Sequence, residues 1–275
     1  MDLDGARCLI TGCSSGIGRA LARALADEGA HVFATGRSVA ALADLAAEGL
    51  SVLEVDVRDD ASIRRAVREA GHVDVLVNNA GYGLAGAVEE IADEELLAQY
   101  DVNVFGVWRC CRAVLPGMRE RRRGAIVVVS SFGGIVPYPG IGAYRSSKFA
   151  VEGIAWTLHL EVARFGIRVI DVLPGLTDSA FDRNMVRARG MTQESPYAEM
   201  HASAAAAYPN MSPAAIPART VADAIVAELR AEPGRRRLAV GEDAERVMAV
   251  AARGDAAYER YLVHDLGFDW HPAAA

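Results

Sequence analysis

The sequence holds no apolar run long enough to span a membrane. Its first ten residues include Asp2, Asp4 and Arg7 and lack the apolar stretch of an export signal, so a cytoplasmic location is expected. Cysteine is scarce: Cys8, Cys13, Cys110 and Cys111 form no C-x-x-C pair. Cys8 falls in an apolar run, and Cys110 and Cys111 fall in a helical pattern, which points to free thiols in a reducing compartment. The histidines (His31, His72, His159, His201, His264 and His271) have no metal-ligand spacing, and no metal is expected. Positive charge is in deficit. A net charge of −7 and a pI near 5.4 argue against nucleic acid as a main partner, because a phosphate-binding surface needs a basic excess. The arginine triplets at 121–123 and 235–237 are local, and the first closes a helical pattern, where cations complement the helix dipole. Asn210-Met211-Ser212 matches a glycosylation sequon that a chain kept inside the cell would not use. No internal repeat and no second domain is visible.

What the sequence does have is size and regular alternation. Its 275 residues, 52% hydrophobic and 24% charged, suit one large domain over 1–275 with a substantial core. Apolar runs predict strands at 6–11, 31–35, 50–55, 73–77, 125–129, 168–173 and 237–240. Between them, helical spacing predicts helices at 19–28, 38–48 with Ser38 as cap, 61–70 capped by Asp59 or Asp60, 93–119, 143–165, 220–231 and 243–253. Strict alternation implies an α/β fold: a doubly wound, Rossmann-type parallel sheet of about seven strands with helices on both faces. Right-handed crossovers bring the strand C-termini to one rim, where such sheets bind ligands. From 176 to 217 the pattern fails. This Ala-, Met-, Ser- and Pro-rich stretch, with Tyr197 and Tyr208, reads as a substrate-binding lid with room for short helices. The tail at 255–275 carries Tyr261, Leu262, Leu266, Phe268 and Trp270, and is expected to pack on the domain or a neighbouring subunit.

The segment 130–148 reads SSFGGIVPYPGIGAYRSSK. Tyr144 and Lys148 stand four apart, one turn from each other on one helix face. A free phenol titrates near pH ~10, and a nearby ammonium favours its phenolate, moving it toward the range useful in acid–base catalysis. Ser131 lies far enough upstream for a loop to return its hydroxyl to the phenol; Ser130 competes for that role, and spacing favours Ser131. Such a trio suits proton exchange with an alcohol or carbonyl oxygen.

After the first strand comes Thr11-Gly12-Cys13-Ser14-Ser15-Gly16-Ile17-Gly18, which opens a helix. Glycines there permit a tight turn and let backbone N–H groups approach a phosphate. These residues, Asn78-Asn79-Ala80-Gly81, a serine, Tyr-x-x-x-Lys and Pro174-Gly175, in this order, resemble the short-chain dehydrogenase/reductase family over roughly the first 180 residues. The resemblance implies an oxidoreductase with a nicotinamide cofactor. It makes Tyr144 the acid/base and Ser131 the hydrogen-bond partner of the substrate oxygen. Lys148 holds the nicotinamide ribose and tunes the tyrosine. Asn103 carries a water that links Lys148 to solvent. Cofactor contacts are expected from Gly12, Ser14, Ser15, Gly16, Ile17, Gly18, Asp56, Val57, Asn79, Ala80, Gly81, Tyr144, Lys148, Pro174, Gly175, Thr177 and Ser179. Thr177 stands where the family has an aliphatic residue, and Ser179 where it has threonine.

Cofactor choice turns on the end of the second strand. A carboxylate there would hold the ribose hydroxyls of NAD and repel a 2′-phosphate. This chain has Thr35-Gly36-Arg37-Ser38 instead. Arg37, assisted by Ser38, is expected to select NADP(H), with NAD(H) still usable. The lid composition suggests an apolar alcohol or carbonyl substrate, with Tyr82, Phe132, Tyr138 and Phe181 as contact candidates. Family members acting on steroids, retinol and ketoacyl chains share the tyrosine–lysine pattern, which does not separate them. A non-catalytic NADP(H) sensor and an isomerase or dehydratase are the alternatives. The resemblance also implies a homodimer or homotetramer paired through the two long helices.

Overall fold

The computed structural model describes residues 1–211 and 215–270. The first apolar run is strand β1 (Arg7–Ile10), followed by the glycine turn and helix α1 (Gly16–Asp27). Leu21 and Leu25, one turn apart, are fully buried; each such burial contributes roughly 1.5–3 kcal/mol. Gly29, at φ +82°, ends the helix in a conformation other residues rarely adopt. There follow β2 (His31–Gly36), α2 (Ala43–Ala47), β3 (Ser51–Glu54), α3 (Asp60–Glu69) and β4 (Val75–Asn78). Asp59 caps α3 by accepting the Ala61 N–H at 2.9 Å. Then come α4 (Asp93–Tyr100), α5 (Gly106–Arg121), β5 (Gly124–Val129), α6 (Gly142–Val162) and β6 (Ile167–Pro174). The chain continues with α7 (Ala198–Ala207), α8 (Ala218–Arg230), β7 (Arg237–Val240), α9 (Glu242–Ala251) and α10 (Asp255–Arg260).

The seven strands form one parallel sheet in the order β7-β6-β5-β4-β1-β2-β3. Strand order reverses between β1 and β4, where Cys8 pairs with both Val32 and Val75. Side-chain alternation sends neighbouring strand residues into two cores. Ile10, Val77 and Val127 join Leu21 and Leu25 of α1 and Ile225 and Leu229 of α8 on one face. Leu9, Leu76 and Ile126 meet Ile63 of α3, Val114 of α5 and Val151 of α6 on the other. The fold is therefore the expected single Rossmann-type domain, with the C-terminal strand ends gathered beside the order reversal. All four cysteines are buried free thiols. Among the described residues, no helix is long and apolar enough to cross a membrane.

Several local expectations are corrected. Ser38 makes no capping bond, and the helix expected at 38–48 is split into a 3-10 turn (Val39–Leu42) and the short α2. The helix expected at 93–119 runs on to Arg121 but is interrupted by a wide π turn (Asp101–Phe105). There the Asn103 side chain is drawn inward, bonding Tyr82 and Ser147. The first arginine triplet does stand at the helix end, as expected, with Arg121 in the last turn, and three of the six arginines bind the protein's own backbone or acids. Arg121 donates to the Val73 carbonyl, Arg122 to that of Arg164, and Arg237 pairs with Glu152 at 2.7 Å.

The stretch after β6 is less irregular than its composition suggests. Val186–Arg187 pairs with Leu84–Ala85, and Ile216–Pro217 with Thr177–Asp178. Helix α7 buries Met200, Ala204 and Ala207 in a third cluster with Phe132, Tyr138, Tyr258, Tyr261 and Phe268, so the tail packs on the domain as expected. Acids at the start of α4 and just before it hold this stretch down: Glu90 accepts from Ser195 and contacts His201 Nε2 at 2.6 Å, and Glu95 accepts the Arg189 N–H at 3.1 Å. Asn210 donates to the Leu266 carbonyl; Ser212 of the sequon, Pro213 and Ala214 of the lid, and His271 with the rest of the tail lie outside the described residues.

Candidate active site

A cleft of about 870 Å³ opens at the rim where the strand C-termini gather. Its floor is the turn after β1. Gly12, at φ +75°, passes so near β4's extension that a Cβ there would meet Ala80 Cα at 2.8 Å. Thr11 Oγ1 accepts the N–H groups of Asn79 and Ala80 at 3.0 and 3.1 Å, while the Asn79 amide donates back to the Thr11 and Gly12 carbonyls. Asn79 thus braces the turn. Ser15 leads into α1 with extended backbone and no side-chain capping bond, so no side-chain cap occupies the first amides of α1. Uncapped N–H groups at the positive end of a helix dipole suit a pyrophosphate. Ser14, Ser15, Gly16 and Ile17 line the cleft; Gly18 does not. One turn into the helix, Gly18 lies against the Asn79 amide, and its lack of a side chain serves packing.

At one end of the cleft stand Arg37, Asp56, Val57 and Arg58. Arg58 pairs with Asp56 at 2.6 Å and holds that carboxyl below the usual carboxylate range. Arg37 is exposed and forms no ion pair among the described residues, so its guanidinium is open to an incoming anion. Ser38 is not among the residues that line the cleft, contrary to expectation. Asn79, Ala80 and Gly81 after β4, and Pro174, Gly175, Thr177 and Ser179 after β6, complete the lining. The residues at hand therefore fit an extended dinucleotide.

The other end holds Ser131, Tyr144 and Lys148. Ser131 follows β5 and accepts the Gly133 N–H at 2.9 Å, which fixes the oxygen and leaves its proton free to donate. Of the two serines, Ser131 is the one near enough to the Tyr144 phenol to oppose its upward shift. Ser130 is buried with its Oγ unpartnered, close to Gly134 and Glu152. Lys148 Nζ lies 5.9 Å from the centre of the Tyr144 ring and donates to the Val129 carbonyl at 2.9 Å. Burial pushes the Lys148 ammonium down to about 8, against the pull of Glu152 and Asp171.

The expected lowering of the tyrosine by this lysine is not what the site shows. Burial raises the Tyr144 phenol above its ordinary value; the opposing influences are the Ser131 hydrogen bond and the Arg145 charge. The ammonium donates to the Val129 carbonyl at the end of β5. Asn103 does not line the cleft; it reaches Ser147, the neighbour of Lys148, at 3.0 Å.

Of the substrate-contact candidates, Tyr82, Phe132 and Phe181 line the cleft, and Phe181 packs 5.2 Å from Tyr144. Tyr138 does not: it is buried and donates to the Ala204 carbonyl at 2.7 Å, tying the loop after β5 to α7. Tyr208 of the lid also lines the cleft, as do Arg58, Arg145 and Asp182, which no motif marks. Arg145 adjoins Tyr144 in sequence, and that adjacency was the one available signal.

Comparison with known proteins agrees with this geometry. Residues 6–190 match the short chain dehydrogenase family. The chain belongs to that family. It is 42% identical over 195 residues to the 3-ketodihydrosphingosine reductase of Bacteroides thetaiotaomicron, covering 68% of this chain and 70% of that one. A short chain dehydrogenase from Burkholderia cenocepacia, solved with NADP, superposes with a TM-score of 0.79 at 28% identity, covering 96% of this chain and 99% of its own. Another from Burkholderia phymatum, solved with NAD, gives 0.78 at 25% identity, covering 92% and 93%. Membership makes this short chain dehydrogenase an oxidoreductase that uses a nicotinamide cofactor and a small-molecule substrate.

Proposed function

We propose that the protein is an NADP(H)-dependent reductase that interconverts a ketone or aldehyde with its alcohol on a largely apolar substrate. One observation carries this reading: a single cleft joins an uncapped helix terminus and an open Arg37 at one side to Ser131, Tyr144 and Lys148 at the other. The nicotinamide, when bound, supplies or accepts the hydride. The chain's own residues handle the proton and the orientation. In reduction the Tyr144 hydroxyl gives its proton to the carbonyl oxygen, and the Ser131 hydroxyl donates a hydrogen bond to that oxygen as it gains charge. Lys148 keeps its position through Val129 and has N–H groups left for ribose hydroxyls. Asn103, in the π turn beside Ser147, serves the proton route from Lys148 to solvent.

Arg37 supports the choice of NADP(H), since a free guanidinium suits a 2′-phosphate and no carboxylate ends β2. The stretch after β6 acts as the lid, and Phe181, Met185 and Leu176 give its inner side an apolar character. Exposed Leu97, Phe105 and Trp108 on α4–α5, and Phe149, Trp156 and Leu160 on α6, support a homo-oligomer formed through these helices. Four buried free thiols fit work in the reducing cytoplasm.

The direct test follows NADPH absorbance with a panel of ketones and aldehydes. The reading expects consumption matched one-to-one by alcohol product. NADPH binding without consumption across the panel would favour a sensor, and substrate conversion with no net change in NADPH an isomerase.

A further inference from the structure

Arg145 brings a planar guanidinium with five N–H donors and no acceptor. Its side chain is buried, only 4% exposed, on the first turns of α6 next to Tyr144. Nε and Nη1 have no hydrogen-bond partner, and the guanidinium forms no ion pair among the described residues. What it has are two aromatic faces, Phe132 at 5.0 Å and Tyr138 at 5.7 Å. A Cβ on Gly133 would meet Nη1 at 2.5 Å, so the head group lies against the turn that carries Ser131. Arg145, Ser131, Phe132 and Tyr144 line the same cleft.

The rings offset part of the charge through their faces and leave the in-plane donors unanswered. A buried ionised group without a partner is unfavourable, and an apolar residue of similar volume would fill the same box without that penalty. The charge is therefore matched to something that enters the cleft. Asp182, the acid of the lid that faces the Tyr144 phenol, forms no ion pair with Arg145.

The geometry points to Arg145 as the docking residue for a carboxylate on the substrate, seated on the Ser131 side of the reacting carbonyl. A planar monoanion suits a single guanidinium, which it meets edge to edge. A phosphate, with close to two negative charges, would face one cation with Asp182 nearby. The rest of such a substrate would lie along Phe181 and Leu176, so the substrate class becomes oxo acids or hydroxy acids with an apolar body. The carbonyl chemistry rests on the proposed function; carboxylate docking does not.

The test therefore has a binding arm and a turnover arm. In the first, hexanoate, octanoate and benzoate are titrated against the NADPH-loaded protein by calorimetry, beside their methyl esters. Docking at Arg145 predicts that each acid binds at least tenfold tighter than its ester, and that Arg145→Met abolishes the difference while Arg145→Lys keeps part of it. Should Arg145→Met fail to fold, the acid–ester comparison on the unaltered protein and on Arg145→Lys still decides. In the second arm, oxo acids and their methyl esters are compared as substrates. Arg145→Met should lower kcat/KM for the acids at least tenfold more than for the esters. Equal affinities for acid and ester, or equal losses in Arg145→Met, would overturn the inference and leave the reductase reading standing. Arg145-dependent acid binding without any turnover would keep the docking site and overturn the reductase.

Discussion

The Lys148 ammonium stands 5.9 Å from the centre of the Tyr144 ring and spends one hydrogen bond on the Val129 carbonyl. In the proposed function the lysine would grip a ribose more directly than it would charge the phenol. Tyr144, buried, stays above the ordinary tyrosine value. A raised phenol is protonated throughout the neutral range, the form that gives a proton to a carbonyl; alcohol oxidation needs the phenolate. Reductive kcat/KM should therefore be flat between about pH 6 and 8, while oxidative kcat/KM climbs about tenfold per pH unit there. A reduction rate that falls across this range would show a phenol already lowered.

The proposed function makes cofactor preference depend on Arg37. Arg37→Asp should raise KM for NADPH by about tenfold or more and leave NADH unharmed or improved, because a carboxylate repels a 2′-phosphate and accepts ribose hydroxyls. An unchanged ratio of the two kcat/KM values would remove Arg37 from the phosphate site.

Behind Lys148, Glu152 and Asp171 form a buried acidic pair beside Arg237, whose Nε is 3.6 Å from Asp171. Burial, then the Glu152 side chain, raises the Asp171 carboxyl from 3.8 to about 9. Between those values the native state keeps a proton that the unfolded state has lost. The pair's contribution to stability is thus complete below the unfolded value and is lost as pH rises through about 9. The thermal midpoint should fall from pH 5 toward pH 8, and Asp171→Asn should flatten that slope. A slope that is unchanged in the variant would assign it to other groups.

Large apolar side chains stand uncovered on α5 and α6: Trp108 is 49% exposed, Trp156 53% and Leu160 69%. The proposed homo-oligomer would bury them in a symmetric partner. Light scattering should give a multiple of the 29.2 kDa chain, and the double substitution Trp156→Glu with Leu160→Glu should give the chain mass. A monomeric starting protein would contradict this interface.

Much of this was legible before any coordinates. Alternating apolar runs marked all seven strands because buried parallel strands are nearly all apolar, as Val75, Leu76 and Val77 show. The glycine turn and the Tyr144–Lys148 spacing were legible because local geometry dictates them. What failed depended on distant contacts. Sequence makes Tyr138 a candidate substrate contact, and only the approach of α7 shows that its hydroxyl belongs to Ala204. Asn103 breaks a regular helix because Tyr82 and Ser147 draw it in. Nothing in the helical spacing marks Arg145; the rings of Phe132 and Tyr138 that enclose it come from the loop after β5.

The measurement that bears most directly on the proposed chemistry is Tyr144→Phe, assayed with NADPH and an accepted carbonyl compound, with NADPH affinity measured by fluorescence alongside. Loss of one hydroxyl from a buried ring leaves the packing against Phe181 in place. The account predicts NADPH affinity within about threefold of the parent and kcat down by about a thousandfold or more. Turnover within tenfold of the parent would contradict it, because the proton would then come from somewhere other than Tyr144.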